Sequence, residues 1–265
     1  MLTSFIWVSS GKFTYEIIVV DDGSLDDTAS IVRESYCRKD TVRLISLDQN
    51  EGKGSAVRRG MLAARGAYLL MADADSATDI RDYDKLMAGM AKLDSAAWKP
   101  ERQSTVSTRS DCVLVESPLG VAIGSRAHLA KDSVAHRSLL RTILMTGFHV
   151  CVSLLCHSKI KDTQCGFKLF TRRAAHLLFA NLHLERWAFD IELVQLCCRM
   201  DIPMVEVAVN WREVSGSKLI TKKLDVVTTS ITMLRDMLCV RLCYSLGIWK
   251  VVRNEETDLV ASKSD

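Results

Sequence analysis

Two short apolar runs, about fifty residues apart, each end in a pair of aspartates. Ile17-Ile18-Val19-Val20 leads into Asp21-Asp22-Gly23-Ser24, and Tyr68-Leu69-Leu70-Met71 into Ala72-Asp73-Ala74-Asp75. A continuous apolar run bounded by turn residues reads as a buried strand. Two such strands side by side in one sheet bring both clusters to the crevice outside their carboxyl ends, where open α/β sheets bind ligands. An Asp-x-Asp there can hold a divalent cation through hard oxygens, and the cation can clamp a diphosphate. Either cluster alone reads equally well as a turn, since Asp-Gly-Ser forms one unaided. Together they favour a nucleotide-sugar site.

The rest of the chain alternates in the same way. Strands are expected over 15–20, 42–47, 67–72, 121–124 and 204–210. Helices are expected over 26–38, 56–64, 82–93, 139–156, 174–180, 188–200 and 224–244. This is βαβ logic, giving an α/β class with a Rossmann-like, mostly parallel sheet flanked by helices. Residues 95–118 are polar, carry two of the three prolines and read as an exposed loop. A chain of 265 residues with 48% hydrophobic content fits one domain over 1–252, followed by a disordered tail over 253–265. A net charge of +3 gives no case for nucleic-acid binding. Nine cysteines without any C-x-x-C argue against a disulfide framework or structural zinc, and for reduced thiols on the cytosolic side of a membrane. No run of about 18 uncharged apolar residues occurs, so no clear membrane-spanning helix is expected. Met1 to Val8 is apolar but lacks the basic flank of a signal peptide.

Four other segments suggest chemistry. Gly52-Lys53-Gly54 fits neither a Walker motif nor G-x-G-x-x-G, but a Gly loop opening a helix can present N–H groups and one Lys to a phosphate. Arg126 with Lys131, Arg137 and Arg141 is either a solvated face or an anion site. In the run from Lys161 to Lys168, Asp162 could orient a base or a sugar hydroxyl and Lys168 could pair with phosphate. Cys165 there reads better as a small core residue than as a nucleophile, for want of a His. Asp190 reads as a first-turn carboxylate favoured by the helix dipole, or equally as a site carboxylate. Ser217 and Lys218, after Trp211, belong to a lid or an ordinary loop, and the six His residues show no metal-ligand spacing.

In chain order, VVDDGS, NEGKGSAVRRG, MADAD, GSRAHL, DTQCGFKLF, ERWAFDIEL and VNWREVSGSKL resemble the inverting GT-A glycosyltransferases of family 2. Within them the similarity is to the dolichyl-phosphate sugar synthases, over roughly residues 14–252. MADAD-x-AT and VNW-x-E-x-x-GSKL favour the glucosyl branch. The resemblance implies inverting transfer of glucose from UDP-glucose to dolichyl phosphate, for protein N-glycosylation, with Mg²⁺ or Mn²⁺, on the cytosolic face of the endoplasmic reticulum membrane. It also implies, by position, Asp21 and Asp22 at the uridine part with Lys53 and Gly54 nearby. Asp73 and Asp75 would hold the metal–diphosphate, Asp75 most directly. Arg126, Lys131, Arg137 and Arg141 would meet the acceptor phosphate, Asp162 and Asp190 would border the sugar, and Ser217 and Lys218 would close over the site. Mannosyl transfer from GDP-mannose, a non-catalytic nucleotide-sugar-binding remnant and a polysaccharide synthase with a hydroxyl acceptor are the alternatives. Family members begin with a further strand inside the sheet; this chain opens MLTSFIWVSSGKF, so a sheet lacking that strand is expected. The helices at 139–156 and 224–244 either pack on the sheet or lie against the membrane surface.

Overall fold

A single sheet is built from Leu2–Ile6 (β1), Ile17–Asp21 (β2), Val42–Ser46 (β3), Tyr68–Asp73 (β4), Val121–Ser125 (β5), Phe167–Thr171 (β6) and Met204–Ala208 (β7). Their spatial order is β3-β2-β1-β4-β6-β5-β7. The computed structural model describes residues 2–6, 15–37, 41–97, 118–126, 160–212 and 223–252. The helix expected at 139–156, most of the 95–118 loop and the tail over 253–265 lie outside the described residues.

The apolar runs are continuous because their strands are buried on both faces. Alternate residues of β4 enter two separate cores. Leu69 and Met71 pack with Ile18 and Val20 of β2 and with the helices Lys53–Ala63 (α2), Arg172–Ala180 (α4) and Phe189–Met200 (α5). Leu70 and Ala72 pack with Leu86 and Met90 of Tyr83–Ala97 (α3). Thr28–Ser35 (α1) follows the first acidic cluster, and Lys223–Ser245 (α6) matches the helix expected at 224–244. No helix among the described residues is long and apolar enough to cross a membrane.

Five strands point the same way, as the βαβ pattern requires; β1 and β6 run opposite, so only β2–β3 and β5–β7 pair in parallel. Both reversed strands correct the sequence reading. Leu2–Ile6 fills the interior place between β2 and β4 that was expected to be missing, antiparallel to both, with Leu2 opposite Asp21 and Thr3 opposite Asp73. An open slot there would leave two rows of backbone groups unpaired inside the sheet, and five extended residues satisfy both. β6 escaped because Lys168 interrupts its apolar pattern; it is fully buried between β4 and β5.

The helix expected from residue 56 begins three residues earlier, at Lys53. Glycine's low helix propensity hid this start. Gly52 holds φ at 108°, and a Cβ on it would fall 2.6 Å from the Glu185 carbonyl oxygen. Only glycine lets the turn pass beneath that chain, where Ser55 N–H then donates to the same carbonyl at 3.0 Å.

Candidate active site

The expected carboxylates do reach one edge of the sheet, but they perform different tasks there. Asp21 and Asp22, at the end of β2, are both buried. Asp21 accepts from Ser24 N–H at 3.2 Å and from the Ser46 hydroxyl at 3.3 Å. Asp22 accepts from Glu51 N–H at 2.8 Å and from Gly52 N–H at 3.1 Å. The second pair of bonds fixes the turn that delivers Lys53.

Lys53, only 6% exposed, opens α2 with its ammonium 2.7 Å from Asp73 and 5.7 Å above the Trp187 ring. Asp73 in turn abuts Gly166, where an added Cβ would lie 2.0 Å from Oδ2. Asp75 is exposed, and one of its oxygens accepts from Ala77 N–H at 2.9 Å. The described residues contain no cluster of three or more His, Cys, Asp or Glu donors. Lys53 engages both Asp73 oxygens, at 2.7 and 2.8 Å, so Asp73 and Asp75 could hold a hard cation only with further oxygens from a diphosphate and water. They do not form an all-protein cage.

An ion pair centred on Arg126 lies at the end of β5. Asp162 accepts from the Arg126 backbone N–H, Nε and Nη2, each at 2.8 Å. The Trp211 ring lies 5.5 Å from the same guanidinium. The hydrogen bonds to Asp162 raise the Arg126 pKa further, so the group is a permanent cation. Burial pushes the Asp162 carboxyl up, but its bonds to Arg126 and that charge hold it below the usual aspartate range. Trp211 pairs with Thr78, and Arg212 N–H donates to the Ala77 carbonyl at 2.9 Å. The segment after β7 thus joins the Asp75 turn to the Arg126 ion pair.

Between the Asp73 cluster and the Arg126 pair lies a buried ion pair. Lys168 is 2.6 Å from Asp190 and also donates to the Cys165 carbonyl at 2.6 Å. Burial raises the Asp190 carboxyl, and the Lys168 and Lys53 ammonium groups pull it back. Lys168 is enclosed by the protein, so its expected role as a phosphate partner gives way to pairing with Asp190. Burial pushes the Cys165 thiol up to about 11, as befits a core residue.

Lys131, Arg137, Arg141, Ser217 and Lys218 lie outside the described residues. Four further groups were not singled out as site residues. Trp187 and Trp211 cover the two cationic side chains, and a Trp inside an otherwise polar motif was the available signal. Asp82 accepts from Asn210 N–H and Nδ2, and so anchors the segment carrying Trp211. Glu192, fully buried, accepts from His183 N–H at 3.1 Å, Leu184 N–H at 2.7 Å and the Tyr244 hydroxyl at 2.8 Å.

Comparison with known proteins adds a sequence profile and close relatives. Residues 8–144 match the profile described as Glycosyl transferase family 2. A Dictyostelium discoideum protein named dolichyl-phosphate beta-glucosyltransferase is 48% identical over 91% of this chain and 66% of its own length. A Mus musculus protein of the same name is 47% identical over 90% of this chain and 67% of its own. This chain thus spans about two thirds of the length of these relatives. A crystal structure of glucosyl-3-phosphoglycerate synthase from Mycobacterium tuberculosis with uridine-diphosphate aligns at TM-score 0.48 and 16% identity, covering 85% of this chain and 67% of that one.

Proposed function

The chain belongs to glycosyl transferase family 2, and from that premise we propose that it transfers glucose from UDP-glucose to dolichyl phosphate with inversion at the anomeric carbon. The observation that carries this reading is the presence of two ion-paired poles on one sheet edge. Asp73 ends β4, with Asp75 two residues on and Lys53 of α2 paired to Asp73, while Arg126 directly follows β5 and is held by Asp162. A single strand, β6, separates the two, so the poles stand on the order of 10 Å apart at the usual strand spacing. That span suits a diphosphate on one side of a sugar and a second phosphate on the other.

The charges account for the division of labour. Both substrates are anions and must approach each other against Coulomb repulsion. Asp73 and Asp75 would hold a divalent cation, which would supply the charge neutralisation that lets UDP leave. Arg126 neutralises the acceptor. An acceptor phosphate oxygen forms the bond to the anomeric carbon as the bond to UDP breaks, and UDP departs with that electron pair. Attack from the opposite face turns an α-linked donor into a β-linked product. The attacking phosphate is already ionised, so no strong base is needed. Consistent with this, Asp162 is committed to Arg126 and Asp190 to Lys168. Asp190 therefore fixes the floor beneath the sugar and takes no proton.

A dolichyl acceptor places the reaction at a membrane surface, here proposed to be the cytosolic face of the endoplasmic reticulum. α6 supports that reading with an exposed stripe of Ile231, Leu234, Leu238 and Leu242, continued by Leu246 and Ile248. Its other face, Met237, Val240 and Tyr244, packs into the core.

The test is transfer of labelled glucose from UDP-glucose to a short polyprenyl phosphate with Mn²⁺, extracted into organic solvent, with GDP-mannose in parallel. Lipid-linked glucose that Asp75→Ala abolishes supports the proposal. Label entering lipid only from GDP-mannose, or entering a hydroxyl acceptor in preference, contradicts it.

A further inference from the structure

Glu206 is the charged residue on β7, between Val205 and Val207. A charge on an edge strand ordinarily guards against edge pairing and faces water. This one is half-buried, and its two oxygens divide between successive backbone amides. Lys161 N–H donates to Oε2 at 3.1 Å and Asp162 N–H donates to Oε1 at 3.0 Å.

One of those amides is that of Asp162, which holds Arg126, and the other is that of Lys161 just before it. Asp162 grips Arg126 through three bonds, yet it lies outside any strand or helix, and no ladder fixes it. Glu206 supplies the missing anchor from a strand, and β7 lies directly beside β5 in parallel register, with Glu206 opposite Ile123. The next segment of the same chain carries Trp211 against the guanidinium. The Asp162 grip uses Nε and Nη2, and the Arg126 side chain stays about one third exposed. Side chains that orient a charged group must themselves be held by rigid elements, because a loosely held Arg loses its bidentate geometry.

We infer that Glu206 is a positioning residue for the acceptor phosphate, acting through the Lys161 and Asp162 amides and the Asp162 carboxylate on Arg126. This rests on the proposal that Arg126 receives that phosphate.

The test is steady-state kinetics with UDP-glucose and a short polyprenyl phosphate for Glu206→Ala, Glu206→Gln, Arg126→Ala and the Glu206→Ala/Arg126→Ala double variant. Losing both amide acceptors should raise the KM for polyprenyl phosphate about tenfold, with the KM for UDP-glucose within about twofold of wild type. Glu206→Gln keeps one acceptor oxygen and should give a smaller rise; it carries the comparison if the alanine variant fails to fold. In the Arg126→Ala background, Glu206→Ala should add nothing. The inference is overturned if Glu206→Ala raises both KM values together, raises the acceptor KM equally without Arg126, or leaves it unchanged while Arg126→Ala raises it. An Arg126→Ala variant with an unaltered acceptor KM would instead overturn the role given to Arg126 itself.

Discussion

Asp73 is confined from two sides, by Lys53 at 2.7 Å and by the missing side chain of Gly166. Gly166→Ala must therefore displace the carboxylate even though it removes no functional group. Transfer activity should fall about a hundredfold, while far-UV circular dichroism stays that of the wild type. Cys165 offers the opposite case. With its thiol pushed up to about 11 it carries almost no thiolate near neutrality, so iodoacetamide should leave it unlabelled in the native protein and Cys165→Ala should retain activity within about threefold. The pH profile follows from Asp162. Its folded pKa is depressed below the ordinary 3.8, so the ion pair's contribution is complete above that value and is lost only as pH falls through the depressed one. Between pH 6 and 8 the pair is constant. The rise in kcat/KM should then follow the acceptor phosphate's second ionisation near about 6 and reach a plateau, and a further rise beyond it would reveal an enzymic base. The places of Asp73, Asp75 and Arg126 at the strand ends were legible at this scale because each ends a strand or follows one within two residues. The partners of Asp22 and Lys168 were not, since Gly52 and Asp190 reach them only through the tertiary fold.

At the scale of elements, the turn before α5 is the junction between site and core. Glu192 holds the His183 and Leu184 amides, and the next carbonyls, of Leu184 and Glu185, press on Gly54 and Gly52. α6 joins the same junction through Tyr244, which bonds Glu192, and through Trp249, stacked on His183 with ring centroids 4.2 Å apart. Glu192→Ala would orphan the two amides and leave the Tyr244 hydroxyl with its longer bond to the Asn181 carbonyl, and should lower stability by about 3 kcal/mol in urea denaturation. Tyr244→Phe removes one of those bonds and should cost about 1 kcal/mol. Stability unchanged in Glu192→Ala would show the junction to be incidental. A buried glutamate inside a helical pattern carries no sequence signal for its partners, which explains why Glu192 was read simply as part of a helix. The strands failed for a related reason. β1 is only five residues long and runs antiparallel to its neighbours β2 and β4, which βαβ alternation does not anticipate, and β6 carries a lysine whose counter-ion is supplied from α5. Periodicity reports local burial and does not report pairing across the sheet.

In the whole molecule, one sheet edge carries Asp73 and Asp75 at β4 and Arg126 at β5, the proposed donor and acceptor poles, and α6 exposes an aliphatic stripe. Replacing Leu234, Leu238 and Leu242 by Ser should abolish co-sedimentation with vesicles rich in anionic phospholipid, while transfer to a short, soluble polyprenyl phosphate persists. Loss of both activities together would place the stripe in the fold instead. The class of the fold and the donor edge were legible because continuous apolar runs ending in aspartates demand a doubly covered sheet. The separation into two poles was not, because it depends on β6 being inserted between β4 and β5. That separation is best tested by calorimetric titration of UDP-glucose, with Mn²⁺ present, into wild-type protein and Arg126→Ala. Donor affinity should stay within about twofold of wild type in a variant whose transfer to polyprenyl phosphate is reduced about a hundredfold. A donor affinity that falls in step with transfer would contradict that separation, since Arg126 would then belong to the donor pole.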